Sequence, residues 1–303
     1  MKRFLALSRT SHGVLELATP GFCALLWLGG FPEWSVIALS LFTAFAGYTA
    51  IYALNDLAGM AVDKEKYATS GINQGYSVEA SELRYPLARN ILSFKSGLLW
   101  MGVWLALALI GAYILNPVIV LVLLAAAVLE VIYVRLLKVT YLRTFVSGLV
   151  KSSGPIAAIF VVDPNPSIAG LLLLFAWLFF WEIGGQNIPA DWNDTAEDKR
   201  INAKTIPIHF GADRAGMIVI LALTVTVVTS AFLPNISPLD LGIPFVLASL
   251  AIGFVFLLQP AFQLNQNKNE GRYAAKLFDR ASFYPVTMFA LITLAVTVTT
   301  LAG

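Results

Sequence analysis

The chain has 303 residues, of which 58% are hydrophobic and 13% charged, whereas a soluble domain is roughly half apolar and about a quarter charged. That balance excludes an ordinary soluble globule and a disordered chain, and the single cysteine, Cys23, excludes an internal disulfide framework. The formal charge of +2 is a near-cancellation of 20 Lys and Arg against 18 Asp and Glu, so the charges carry information only through where they fall.

A bilayer core about 30 Å thick takes roughly 20 apolar residues as a helix. Nine charge-poor stretches of that kind follow one another at 13–31, 34–54, 94–115, 117–134, 144–162, 166–185, 214–233, 239–259 and 283–302. The first contains Glu16 and continues to span length without a small-residue cleavage site, so it reads as a span and not as a cleaved signal peptide. Between spans, Phe31-Pro32-Glu33, Asn116-Pro117, Asp163 to Pro166 and Pro234 to Asp240 contain no Lys or Arg. All 20 fall on the other side, in or around the alternate connections and the N-terminus, from Lys2, Arg3 and Arg9 to Arg280. By the positive-inside rule that side is cytoplasmic, which puts the N-terminus inside and, after nine crossings, the C-terminus outside. The expected fold is therefore all-α and integral to the membrane, one transmembrane domain over 1–303 in a plasma membrane of prokaryotic type. The longer pieces 55–93, 186–213 and 260–282 are expected to pack as a small cytoplasmic cap.

Two acidic clusters stand out, both at cytoplasmic span ends. After the second span the chain reads Asn55-Asp56-Leu57-Ala58-Gly59-Met60-Ala61-Val62-Asp63. On a helix Asn55, Gly59 and Asp63 share a face, with Asp56 beside it. After the sixth span Asp191, Asp194 and Asp198 fall at i, i+3 and i+7, again on one face. Like charges so placed repel unless a cation sits among them. The donors are hard oxygens without a convincing His or Cys partner, since His12 and His209 are far apart in sequence, and this favours Mg²⁺, or Mn²⁺, over zinc. Mg²⁺ usually completes its shell with substrate phosphate, which points to a phosphorylated substrate. The bland alternative is a solvated cap whose acids match Lys64, Lys66, Lys199 and Arg200. It leaves unexplained why two similar clusters recur about 135 residues apart.

These clusters resemble the aspartate-rich signatures of the UbiA superfamily of intramembrane prenyltransferases, NDxxDxxxD and DxxxD. Asn55, Asp56 and Asp63 match the first, with Gly59 at the middle aspartate, and Asp194 and Asp198 match the second, with Asp191 preceding. Lys204 to Gly211 looks like the family's K-T-lP-x-x-x-G continuation, Arg84-Tyr85-Pro86-Leu87 is similar to its R-P-L segment with one residue inserted, and Tyr133 to Lys138 resembles its Tyr-x-x-x-Lys element with one extra residue. The resemblance covers most of the chain and implies nine helices around a central cavity.

It also implies the reaction: Mg²⁺-dependent transfer of a prenyl group from an allylic prenyl diphosphate to a lipophilic acceptor, through an allylic cation kept from water. The implied metal set is Asn55, Asp56, Asp63, Asp191, Asp194 and Asp198. Arg84, Arg89, Lys138 and Lys204 are the candidate diphosphate binders. Asp191, Tyr133 and Lys138 are the candidate catalytic groups, Asp191 through a metal-bound water or as proton acceptor, and Tyr133 by a hydrogen bond to diphosphate or by lining the acceptor site. The acceptor is a quinone precursor or a glycerol-phosphate ether-lipid precursor, with membrane lipid as the surrounding partner.

Four charged groups within or near spans are costly there. Glu182, one turn before Gln186 and Asn187, is expected to face the same cavity, and so is Glu130, three before Tyr133. Glu16 and Lys151 read as an interior pair or an interfacial snorkel. A transporter with a cytoplasmic acidic site is the rival class, but transport sites usually lie near the midplane on broken helices. A prenyl diphosphate hydrolase or a cyclase would use the same metal site. Nucleic-acid binding has no support, because the cations are spread over membrane-facing segments.

Overall fold

The structure, a computed structural model, describes residues 1–70 and 85–302. The described residues are helical or in turns, as expected. The chain opens with α1 (Lys2–Leu7), α2 (Thr10–Glu16) and α3 (Ala18–Leu28). Next comes α4 (Trp34–Ser70), 37 residues long, so the first acidic cluster is a direct continuation of a spanning helix. Ser93 starts α5 (Phe94–Leu115) by accepting a hydrogen bond from the Ser96 N–H, and Asn116 starts α6 (Pro117–Arg135) by accepting one from the Val118 N–H, with Pro117 fixing the first turn. A 3-10 turn over Leu136–Lys138 leads to α7 (Arg143–Val162).

The next column is α8 (Ile168–Trp181), a π turn at Glu182–Asn187, and α9 (Ile188–Asn193). Then follow α10 (Thr195–Arg200) and α11 (Ile206–Ser230), which bends at Gly211 where φ is 75°. The last two columns are α12 (Gly242–Gly253) with a second π turn at Phe254–Leu258 and α13 (Gln259–Gln266), and α14 (Gly271–Ala302).

Among the described residues eight helical columns are long and apolar enough to cross a membrane: 34–68, 94–115, 117–138, 143–162, 168–193, 206–230, 242–266 and 271–301. The remaining expected span, 13–31, is the pair α2 and α3, whose hydrogen-bonding is interrupted at Leu17 and whose pieces are 7 and 11 residues long. The pair begins beside Arg9, whose guanidinium reaches Asp56, and ends near Trp27, whose indole N–H donates to Asp163 at 2.9 Å on the far end of α7.

The columns close a ring: α2 packs on α4, α4 on α6, α6 on α7, α7 on α8, α9 on α14, and α14 on α2 and α3. Outside this ring, α5 covers α4 and α11 covers α8. The principal core lies between α3, α8, α11 and α14, around Phe22, Trp177, Leu223 and Tyr284, where the Trp177 indole donates to the Tyr284 hydroxyl at 2.9 Å. Small residues let helices approach closely. A Cβ on Gly111 would lie 2.1 Å from Thr43 Oγ1, and one on Gly148 would lie 2.5 Å from Phe179. Leu99, Ile110, Leu121, Val128 and Leu247 point outward and are exposed, which suits lipid.

Candidate active site

The acidic clusters meet at one end of the ring, because α4 carries the first beyond its apolar stretch while α9 and α10 carry the second, and α10 packs on α4. Between α1 and α2, Arg9 adopts φ 44° and ψ 42°, a left-handed conformation that is uncommon for a long side chain. It turns the guanidinium onto α4, where Nη2 donates to Asn55 Oδ1 at 3.3 Å and to Asp56 Oδ1 at 3.2 Å. Asn55 in turn donates to the buried Glu130 carboxylate of α6. Gly59 faces Val134 and Asp63, and a Cβ there would lie 3.4 Å from Asp63 Oδ2 and 3.5 Å from Val134 Cγ1, which is ordinary contact.

In the second cluster, Arg143 Nη1 donates to both carboxylate oxygens of Asp191 at 2.8 and 3.0 Å, with its guanidinium 4.1 Å from the centre of the Tyr133 ring. Lys66 reaches across from α4 to lie 2.6 Å from Asp198 Oδ1 and 4.0 Å from Asp194 Oδ2. Burial raises the Asp198 carboxyl to about 6, Asp191 and Asp194 push the same way, and the Lys66 ammonium opposes them.

The oxygen donors thus face protein cations. Among the described residues no three His, Cys, Asp or Glu side chains converge as a ready metal cage. The donor chemistry nevertheless suits a hard divalent cation, and the Lys66 ammonium demonstrates that the Asp194–Asp198 pair takes a positive charge.

Below this layer lies a cavity of about 440 Å³ lined mainly by α2, α3, α4, α6, α7, the π turn and α14. Its wall includes Arg9, Asn55, Tyr133 and Asn187 next to the clusters, and Glu16, Tyr52, Lys151 and Glu182 deeper in. Toward the far end it is lined by apolar groups such as Leu25, Ile37, Leu41, Ile51 and Leu123. The aspartates are turned to their ion-pair partners and lie beyond its wall, with Asn55 and Ala190 marking the boundary one residue before Asp56 and Asp191.

The π turn sets the register of the α8 column. Its six residues are all buried. A Cβ at Gly184 would lie 2.9 Å from Leu223, and one at Gly185 would lie 2.9 Å from Ala281, so α11 and α14 close on it. Such turns recur at functional sites. This one aims Asn187 at the Tyr133 hydroxyl, to which its Nδ2 donates at 3.0 Å, and fixes Gln186 to the Phe278 carbonyl at 3.2 Å.

Of the cations expected on diphosphate, Lys138 stands on the 3-10 turn, paired with Glu65 at 2.6 Å. Arg89 is half-buried, 5.9 Å from the centre of the Tyr67 ring, and the Lys204 side chain is exposed. Arg84 lies outside the described residues. Of the cations that do meet the aspartates, Arg9 and Arg143 were legible in sequence only as markers of sidedness, and Lys66 only as one of four cations that could match the acids of a solvated cap. A usable signal existed for Lys66, which follows Asn55 by eleven residues, three helical turns on the same face.

The profile of the UbiA prenyltransferase family matches residues 17–299. Relatives named digeranylgeranylglyceryl phosphate synthase occur in Pyrococcus abyssi, at 24% identity, and in Thermococcus kodakarensis, at 26%. Each alignment covers 96% of this chain and 97% of the relative. The fold is similar to that of a UbiA homologue from Aeropyrum pernix K1 (TM-score 0.71, 15% identity, 96% of this chain and 98% of the other). It is also similar to a UbiA homologue from Archaeoglobus fulgidus solved bound to DMAPP and Mg²⁺ (TM-score 0.66, 18% identity, 96% and 99%).

Proposed function

The chain belongs to the UbiA prenyltransferase family and is an integral-membrane prenyltransferase; from that premise we propose that it transfers a prenyl group from an allylic prenyl diphosphate to a lipophilic glycerol-phosphate acceptor. The observation that carries this reading is the meeting of both aspartate clusters at the mouth of one mostly apolar cavity. Both relatives are named for a product bearing two geranylgeranyl groups on glyceryl phosphate. That favours an ether-lipid acceptor over the quinone precursors that the sequence left open.

The apolar depth of the cavity takes the isoprenoid tail and keeps water from the cation formed when the C–O bond breaks. Asn55, Asp56, Asp63, Asp191, Asp194 and Asp198 would hold Mg²⁺, which supplies charge neutralisation on the departing diphosphate. Arg9, on the cavity wall, is placed to bind diphosphate oxygens, and Arg84, Arg89, Lys138 and Lys204 are the further candidates that the sequence supplies. Tyr133 accepts from Asn187 and so keeps its own O–H to donate into the cavity.

Nine crossings, with α2 and α3 forming the first, put the N-terminus and the active site on the cytoplasmic side of a prokaryotic plasma membrane, a reading that the one-sided cations support. The connections around α10 and α13 form the cap.

The test is purified protein with Mg²⁺ and geranylgeranyl diphosphate, offered geranylgeranylglyceryl phosphate, 4-hydroxybenzoate and a naphthoate, with products read by mass spectrometry. The expected product is the doubly prenylated glycerol phosphate. Asp56→Ala and Asp198→Ala should each lower diphosphate release by about 100-fold or more. Release that is unaffected by chelation or by both substitutions, or absence of any prenylated product, sinks the reading.

A further inference from the structure

Beneath the aspartates the cavity carries a second polar layer that the donor site does not use. α2 contributes His12 and Glu16, α7 contributes Ser147 and Lys151, α4 contributes Tyr52, and the π turn contributes Glu182, all lining the cavity. His12 Nε2 lies 3.0 Å from Glu16 Oε1, and Lys151 binds both that carboxylate and the Tyr52 hydroxyl. Glu16 is thereby matched by a cation. Among the described residues Glu182 is hydrogen-bonded by a hydroxyl, not by a cation: Ser147 donates to its Oε1 at 2.6 Å.

Three atoms of this layer have no hydrogen-bond partner among the described residues: Glu182 Oε2, Glu16 Oε2 and His12 Nδ1. Their residues are 2%, 5% and 3% exposed. An unsatisfied buried polar atom costs about 1–3 kcal/mol, so three lining one cavity are poor structural glue and instead wait for a ligand. Their chemistry is one-sided. Carboxylate oxygens only accept, and because His12 gives its Nε2 proton to Glu16, Nδ1 accepts as well. The complementary ligand donates hydrogen bonds. An alcohol O–H fits.

Depth agrees with this. Glu182 precedes Asp191 by nine residues of one helical column, about 13 Å at roughly 1.5 Å per residue. The Asn187–Tyr133 contact lies between them. A diphosphate held at the aspartates directs its allylic carbon down toward this layer.

We propose that Glu182, with Ser147, Glu16 and His12, forms the acceptor subsite, which binds the free hydroxyl of a lipophilic alcohol and takes its proton. The inference rests on the transferase reading above. In the step, the hydroxyl oxygen bonds to the allylic carbon as that carbon's bond to the diphosphate oxygen breaks. The electron pair leaves with diphosphate, the O–H proton moves to Glu182 Oε2, and nothing is oxidised or reduced. Glu182 is the base because its Oε2 has no hydrogen-bond partner among the described residues while its Oε1 is held by a hydroxyl, and Glu16 and His12 position the alcohol.

Glu182→Gln keeps shape and the Ser147 contact but cannot take a proton. With geranylgeranyl diphosphate, Mg²⁺ and geranylgeranylglyceryl phosphate, kcat for transfer should fall by about 100-fold or more, the usual scale for a lost general base. Stabilisation by the S-thiolo analogue of geranylgeranyl diphosphate should be unchanged, and Glu182→Asp should restore part of the rate. His12→Ala should raise KM for the alcohol more than it lowers kcat. If Glu182→Gln loses the analogue's stabilisation, Ser147→Ala decides: slower transfer with the analogue's stabilisation intact supports the assignment, and an unchanged rate overturns it. Transfer by Glu182→Gln within about ten-fold of the parent protein also overturns it. Prenylation by the parent protein of an aromatic carbon alone defeats the alcohol subsite and leaves the transferase standing, whereas no transfer to anything defeats the transferase reading first.

Discussion

Gly59 is where the chain departs from the motif it otherwise follows, and its surroundings indicate what that departure does. A Cβ fits, with contacts of 3.4 and 3.5 Å, so no steric demand explains the glycine, and an interior helical glycine costs about 0.5–1 kcal/mol against alanine. What the glycine avoids is a third carboxylate on the face that already holds Asp56 and Asp63. Gly59→Asp places the new charge one turn from Asp63, where like charges at i, i+4 repel unless a cation intervenes. The expected outcome is a folded protein whose thermal unfolding shifts further on adding Mg²⁺ than the parent's does, and whose diphosphate release reaches half-maximum at lower Mg²⁺. An unchanged Mg²⁺ dependence would separate position 59 from the metal. The residues of the site were largely visible in sequence as two faces of aspartates. Their counter-charges were not, because Arg9–Asp56, Lys66–Asp198 and Arg143–Asp191 each join different elements, and no periodicity within one helix reports a partner on another.

At the scale of an element, α7 and the α8 column show how two layers of chemistry are stacked. Arg143, Ser147 and Lys151 lie at i, i+4 and i+8 and so form one stripe. From top to bottom they meet Asp191, Glu182 and Glu16. The stripe is readable from spacing. The matching column is not, because the π turn between Glu182 and Asn187 shifts the helical register, and the sequence marks it only by Gly184-Gly185. Those glycines are held by packing. Alanine at 185 would bring its Cβ to 2.9 Å of Ala281 Cβ, with no flexible chain end to yield. Gly185→Ala should destabilise by about 1–3 kcal/mol, as overpacking does, and should slow transfer more than it weakens binding of the donor analogue, because Glu182 and Asn187 lie on either side of the displaced turn. Equal thermal stability and an unchanged rate would remove the π turn from the argument.

For the whole molecule, sidedness follows from whether α2 and α3 together cross. As single pieces they are shorter than a span, yet they run from Arg9 at the aspartates to Trp27 at Asp163, the two ends of the bundle. The break at Leu17 follows Glu16, so the interruption falls where the chain delivers a carboxylate to the cavity. Seven further columns separate α3 from residue 269. If the pair crosses, residues 2 and 269 share a side; if it does not, they lie opposite. Cys23 is fully buried and should resist labelling, which leaves the parent chain as a silent background. Lys2→Cys and Asn269→Cys report the aspartate end, and Asn165→Cys and Asn235→Cys report the other, all four positions being exposed. In intact cells a membrane-impermeant maleimide should modify Asn165→Cys and Asn235→Cys, and should reach Lys2→Cys and Asn269→Cys only after the membrane is opened. Modification of Lys2→Cys from outside, with Asn269→Cys protected, would reduce the crossings to eight. It would also put the N-terminal cations on the wrong side to reach the aspartates, contradicting the Arg9–Asp56 pair on which the closure of the site depends.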